Sequence, residues 1–372
     1  MATQTRTVIK AYFQTGDSPT EAQFVDLIDT LMSNLEAGYG LRLRTGGLRL
    51  SYVGAGTVQV AAGAAVFSDG QSGLETGTNN VTFANLDTGA EAAGADYYIY
   101  AVPDGSGGLN FVVSASASAP TGYSVYQLVG WFHNNPASDI LRYSVASGVN
   151  TEEPVEGPRP GMVRYPGQSW MIDIYIASDS GGAGKGIFAG VNAAQSKYNQ
   201  VPWVSRTYFA EYKSCLNAGK RLCTNEEWSM AAFGSPAGAN NNNYCWTAAA
   251  NVGARNTGLM GSVGYCVSTL GCYDMVGNVW ERVATWSDVI DVYTDQTGWA
   301  WTNQAGTWTN EAEGGEAYTA FGANAGPDGN QGPRALLRGG DWIDSTAAGG
   351  WTVNGYYSPR SVHSSFGCRC CA

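Results

Sequence analysis

The chain has 372 residues, of which 44% are hydrophobic, 12% aromatic and only 14% charged, with 50 glycines. That length points to two or three domains, and a glycine- and aromatic-rich, charge-poor composition favours short strands and turns over long helices. A net charge of -11 argues against a nucleic-acid partner, which selects a basic face. No run approaches the ~18 uninterrupted apolar residues of a membrane-spanning helix.

The first predicted element is a helix. Ser18-Pro19-Thr20-Glu21 is a capping box with proline at the first helical position. Phe24, Leu27, Ile28, Leu31 and Leu35 then fall on one apolar stripe, and Gly38 ends it. The stripe suits a helix packed on its own domain and equally one that serves attachment or oligomerisation; residues 1–40 are assigned to such a segment. Met1 to Arg6 lead into no hydrophobic signal core, so synthesis in the cytosol, or export without a cleaved signal, is expected.

Residues 41–150 read as strands. Runs such as Gly56–Val60 and Tyr97–Val102 are broken by the turn signals Asp69-Gly70 and Asp104-Gly105, which predicts a β-sandwich-like domain. Residues 151–164 form a linker, with three prolines and three acids between Thr151 and Gly161. In the second unit, residues 165–372, Trp170–Ile176 predicts one strand, and Tyr208–Ala218 a helix closed by Gly219. A second capping box, Thr224-Asn225-Glu226-Glu227, opens a helix through Ala232. Long loops follow, of the kind that usually carry function.

Eight cysteines lie in this second unit: Cys215, Cys223, Cys245, Cys266, Cys272, Cys368, Cys370 and Cys371. Free thiols are expected first, because no signal peptide is seen; disulfides and a metal site stay open. The Cys266–Cys272 and Cys368-x-Cys370-Cys371 spacings match no usual zinc pattern. Only His133 and His363 could serve histidine-based catalysis. Toward the C-terminus, Leu336–Asp341 and Phe366–Cys371 read as buried strands. They frame small, polar and aromatic residues with no core periodicity, which marks a candidate binding face.

Three segments carry a resemblance: Gly219-Lys220-Arg221-Leu222-Cys223-Thr224-Asn225-Glu226-Glu227-Trp228, Tyr273-Asp274-Met275-Val276-Gly277-Asn278-Val279-Trp280-Glu281, and Leu337-Arg338-Gly339-Gly340-Asp341-Trp342 with Gly367-Cys368-Arg369-Cys370. In this order they resemble the formylglycine-generating-enzyme family, a variant of the C-type lectin fold, over about residues 165–372. The family's oxidases use a cysteine pair after the Arg-Gly-Gly turn; the matching positions here are Asp344 and Gly349, and no cysteine lies between Cys272 and Cys368. The expectation is therefore a protein that is not an enzyme.

Ser116–Tyr123 and Leu128–His133, with the Pro158–Met162 linker, resemble the major-tropism-determinant family, phage receptor-binding proteins diversified by a retroelement. Ile9–Asp17 looks instead like the start of other phage tail-fibre proteins. The resemblances imply an α+β, multidomain fold: an N-terminal helix, a β-sandwich-like middle domain and a C-terminal C-type lectin fold. Function is expected to be reversible receptor binding through a retroelement-diversified variable region at about 336–372. The alternative is a bacterial or prophage surface-displayed variable protein of the same fold, and a formylglycine-generating-type oxidase is the remaining reading.

The implied ligand-binding residues are Asp341, Ile343, Asp344, Ala347, Tyr356, Tyr357, Arg360, His363, Ser364 and Ser365. Adenine-directed mutagenesis of asparagine codons cannot yield Lys, Glu, Gln or Met, and none of these stands between Asp341 and Ser365. Trp342 and Trp351 would be scaffold. No cofactor is required; the family implies a structural Ca2+ held by the carboxylates of Asp274 and Glu281 and the carbonyls of Gly277 and Val279, with a simple turn as the alternative. The implied partners are a host cell-surface receptor, protein or glycan, and phage tail components through the N-terminus. Neither nucleic acid nor membrane insertion is expected. A homotrimer located in the virion tail fibre completes the implied picture.

Overall fold

Alternating apolar and polar residues build the first unit from strands. The computed structural model describes residues 47–67, 69, 72–148, 159–179, 192–235, 266–287, 319–321, 334–342, 344, 348–355 and 357–372. The capped helix near the start, most of the linker, and Ile343, Ala347 and Tyr356 lie outside these residues. Strands β1 (Leu50–Gly54), β2 (Thr57–Val60), β3 (Gly63–Val66), β4 (Ser72–Glu75) and β5 (Asn79–Val81) come first. β1, β2 and β5 pair antiparallel in that order, and β3 and β4 form a hairpin. Strands β6 (Ala95–Pro103), β7 (Leu109–Ser114), β8 (Gln127–Asn134) and β9 (Ala146–Ser147) make a second sheet, ordered β7-β6-β8-β9. Val58, Val60 and Val81 from one sheet meet Tyr97, Ile99, Phe111, Val113 and Phe132 from the other in a single core.

The turn expected at Asp104-Gly105 joins β6 to β7. The Asp104 carboxylate accepts from the amides of Ser106 (2.7 Å) and Gly108 (2.9 Å). Gly105 and Gly107 take φ of 83° and 94°, values a side chain resists.

The second unit opens with β10 (Met162–Arg164), β11 (Met171–Asp173), β12 (Ala177–Asp179) and β13 (Ala194–Ser196). Helix α1 (Tyr208–Asn217) follows, capped by Thr207, whose hydroxyl accepts from Ala210 N–H at 3.3 Å. Gly219 closes it with φ 67°. After β14 (Arg221–Leu222) comes α2 (Asn225–Ala232), opened by the expected capping box: Glu227 N–H donates to Thr224 Oγ1 (3.2 Å), and the Glu227 carboxylate accepts from Thr224 N–H (2.9 Å). Strands β15 (Trp280–Ser287), β16 (Thr319–Phe321), β17 (Arg334–Gly339), β18 (Gly349–Gly355), β19 (Phe366–Cys368) and β20 (Cys370–Cys371) complete the unit. They form a five-stranded sheet, β16-β18-β17-β15-β19, and a four-stranded one, β10-β11-β20-β14. No helix among the described residues is long and apolar enough to cross a membrane.

One expectation is corrected. Trp170–Ile176 is not a single strand: β11 stops at Asp173, the chain bends, and β12 begins at Ala177. The cause is Arg369, fully buried, whose guanidinium collects the carbonyls of Asp173 (3.0 Å), Ile174 (2.7 Å) and Tyr273 (2.6 Å). The carbonyls turned toward this buried cation mark the bend, and the Ile174 carbonyl also accepts from Tyr273 N–H (2.8 Å) rather than from a neighbouring strand of a continuous ladder.

The cysteines are mixed in state. Cys223 and Cys371 form a disulfide with Cα atoms 4.8 Å apart, within the span such a bond requires. Cys266 is also disulfide-bonded, and Cys215, Cys272, Cys368 and Cys370 are free and buried. The two units touch through His133. Its Nδ1 lies 2.8 Å from Asp96 and its Nε2 3.1 Å from the Tyr175 hydroxyl across the junction, and Asp96 also accepts from Gly161 N–H (3.0 Å).

Candidate ligand-binding face

The frame is built from residues that cannot vary freely. β17 is buried along its whole length. Arg338 donates to Ser229 Oγ (2.8 Å) and to the Gly350 carbonyl (2.9 Å), with its guanidinium carbon 5.0 Å from the Trp228 ring centroid. Burial pulls its pKa down to about 10. Gly339 has φ 88°, and a Cβ there would stand 2.7 Å from the Met275 carbonyl oxygen, so the Arg-Gly-Gly turn needs its glycine. Trp280, Leu337 and Phe366 pack together beneath.

Between β18 and β19 the chain forms a loop, residues 357–365, and its backbone is held by residues outside it. The Pro359 carbonyl accepts from Tyr208 N–H (2.9 Å), the first amide of α1. The His363 carbonyl accepts from Ser205 N–H (3.0 Å), and the Ser365 carbonyl from Trp280 N–H (2.8 Å). The Ser361 carbonyl accepts from Arg282, which also donates to the Glu211 carboxylate (3.2 Å) and to the Arg206 carbonyl (2.7 Å). Four carbonyls are thus fixed by three backbone amides and one buried arginine. Meanwhile Arg360, Val362, His363 and Ser364 expose their side chains.

The residues implied by resemblance divide here. Arg360, His363 and Ser364 share the exposed face. Ser365 is fully buried, and its hydroxyl lies 2.8 Å from His363 Nδ1, so it positions that ring. Tyr357 is half-buried and packs edge-on against Phe366 at 4.7 Å, which makes it a cover for the frame. Asp341 is buried and Asp344 partly so; Asp344 Oδ2 accepts from Asp341 N–H at 2.8 Å. Burial first, and then the Asp341 charge, push the Asp344 carboxyl up to about 6.

Val362, 56% exposed, is a face residue absent from the expected set. Valine is among the residues that the resemblance's asparagine-codon mutagenesis can yield, so the resemblance could have included it. Phe209, Tyr212 and Leu216 lie exposed along α1, at a spacing complementary to the buried Tyr208, Glu211 and Cys215.

The calcium set implied by resemblance does not fit. Glu281 is fully buried, and its carboxylate accepts from Arg369 through both oxygens (2.9 and 3.1 Å) and from the Trp228 indole (2.8 Å). A carboxylate so neutralised is no ligand for a hard cation. Asp274, Gly277 and Asn278 take φ of 58°, 76° and 60°, which makes the segment a scaffold turn. No group of three or more His, Cys, Asp or Glu side chains among the described residues is arranged to hold a metal ion.

A small-helix, loop-bearing β unit with such a surface is a C-type lectin-like fold. The sulfatase-modifying factor enzyme 1-like domain model matches residues 177–372, more than half of the chain, and the chain belongs to that family. The Mtd second domain model matches residues 49–156. Among solved structures, the chain is similar to the Major Tropism Determinant U1, I1 and M1 variants. Each is 19% identical; 91% of this chain aligns with 86%, 87% and 86% of theirs, at TM-scores of 0.62, 0.61 and 0.60. These likenesses bear out the expected fold class, two β-rich units ending in a C-type lectin-like fold. Comparison with curated proteins finds no match.

Proposed function

We propose that the chain is a phage tail-fibre receptor-binding protein whose C-terminal loop presents a retroelement-diversified ligand surface. One observation carries this reading: the loop backbone is held through its carbonyls at Pro359, Ser361, His363 and Ser365, while Arg360, Val362, His363 and Ser364 stay exposed. The exposed Arg360, Val362 and Ser364 side chains can be exchanged without loss of the frame, whereas the His363 ring also accepts from Ser365 N–H (3.3 Å) and packs on Phe366 with centroids 5.0 Å apart. Arginine is a frequent hot-spot type, and many modest contacts become strong binding on a multivalent particle.

The protein acts by binding rather than by catalysis. The oxidases of the family it resembles need a thiol pair, and Asp344 and Gly349 stand at the matching positions. The buried Ser365 hydroxyl beside His363 is closed to substrate. A homotrimer in the virion tail, meeting a host protein or glycan, completes the proposal.

The DNA flanking the gene tests it. A near-copy of the 3′ end, differing at adenines only and lying beside a reverse-transcriptase gene among phage structural genes, is the expected finding. Flanking DNA without such a copy overturns the diversified reading. Static light scattering on the purified chain reports the trimer, and a monomer mass would refute it.

A further inference from the structure

Three thiols outside the binding face converge between α1 and the last two strands. Cys215 lies on α1, Cys368 on β19 and Cys370 on β20, and all three are buried. The sulfurs of Cys215 and Cys370 are 2.6 Å apart, although 155 residues separate them in sequence. A covalent S–S bond is about 2.05 Å, so this pair stands close to bonding distance. Cys368 is buried in the same cluster as both. The neighbouring Cys371 is already bonded to Cys223, so the same strand carries one completed disulfide.

We propose that Cys215, Cys368 and Cys370 form a three-thiol exchange site, in which Cys215 is disulfide-bonded to Cys370 or, alternatively, to Cys368. The chemistry favours Cys370 as the first nucleophile. Burial opposes its thiolate, but S–H donors from Cys215 and Cys368 and the Lys220 ammonium outweigh it and hold this thiol well below the ordinary cysteine range. Lys220 is itself fixed by Asp173 at 2.6 Å.

The oxidant is a small-molecule disulfide such as oxidised glutathione. The Cys370 thiolate attacks one of its sulfurs and expels a thiolate. Cys215 then attacks the mixed disulfide at Cys370 and expels the second thiolate. Two cysteine protons end on the two glutathione thiols, and two electrons reduce the oxidant. Exchange needs no further oxidant: Cys368 attacks Cys215, Cys370 leaves as thiolate, and one proton passes from Cys368 to Cys370.

Burial places the oxidation step during folding, before the cluster closes. The consequence reaches the binding face. α1, whose first amide holds Pro359, becomes tied either to β20 or to β19, the strand that ends the loop.

The test is a non-reducing peptide map of the full chain, refolded in a glutathione redox buffer and alkylated under denaturing conditions. Wild type is expected to show Cys215 linked mainly to Cys370 and partly to Cys368, with one alkylated thiol among the three. Cys370→Ser should move the whole linkage to Cys368, and Cys368→Ser should leave Cys215–Cys370 alone. Cys215→Ser should leave both remaining thiols alkylated. The Cys223–Cys371 bond is the internal control for oxidation. Three alkylated thiols beside an intact Cys223–Cys371 bond in wild type would overturn the proposal, whether or not the serine variants fold.

Discussion

At the scale of single residues, one ion pair organises the second unit. Arg369 and Glu281 are both fully buried, and each is also bonded by neutral partners: three carbonyls on the arginine, the Trp228 indole on the glutamate. Such a pair adds little over an apolar substitute, but removing one partner strands a buried charge. Glu281→Ala is therefore expected to cost about 3–5 kcal/mol, read from the shift of a denaturant-unfolding midpoint; an unchanged midpoint would show that water reaches Arg369. The Asp344 carboxyl gives a different signature. Asp344 is raised to about 6 in the folded state, above an unfolded value of about 3.9. The folded chain therefore binds this proton more tightly, and the associated stability is complete below the unfolded pKa and lost as pH rises through the folded one. Melting temperature measured from pH 4 to 7 should fall less steeply in Asp344→Asn than in wild type. Parallel profiles would remove this carboxyl from the account.

At the scale of elements, the loop between β18 and β19 separates framing side chains from displayed ones. Tyr357 belongs to the frame, because its ring packs on Phe366. Tyr357→Ala is expected to cost about 1–3 kcal/mol through lost aromatic packing and burial, whereas Arg360→Ala should stay within about 0.5 kcal/mol of wild type. Thermal unfolding of the two variants side by side checks this, and equal stability would put Tyr357 back on the face. The sequence resemblance placed Tyr357 among the ligand-binding residues because position along the chain does not reveal which way a half-buried ring turns. Locally encoded elements were far more legible. Helix α2 begins on a threonine capping box read from neighbouring residues, and α1 ends on the expected Gly219, although its Thr207 cap was not singled out in the sequence. The break between β11 and β12 was illegible for the opposite reason: its cause, Arg369, lies about 195 residues away. A separation of 88 residues likewise hid the use of Glu281, whose place in a family motif suggested calcium while its true partner is an arginine from the C-terminus.

At the scale of the whole molecule, two cores are coupled through a junction in which Leu141 and Tyr143 of the first unit pack on the core of the second beside a polar bridge. His133 bridges Asp96 in the first unit to Tyr175 in the second. Gly94 lies against Tyr198, where an added Cβ would fall 2.2 Å from the ring. These contacts join the sandwich to the lectin-like unit. Neither contact could be read from pattern, since each joins residues far apart in sequence, several of them in ordinary turns. The family frame was legible from ordered motifs. The exposure of Val362 and the burial of Ser365 became visible only once the backbone path of the loop was known.

The frame tolerates exchange of the exposed face. Two libraries of the full chain test it: one randomised at Arg360, Val362 and Ser364, the other at Leu337, Thr352, Phe366 and Arg369, both scored for resistance to proteolysis. Most members of the first library should remain folded and most of the second should be digested, because the first set is exposed and the second buried. Equal loss of resistance in both libraries would contradict the account.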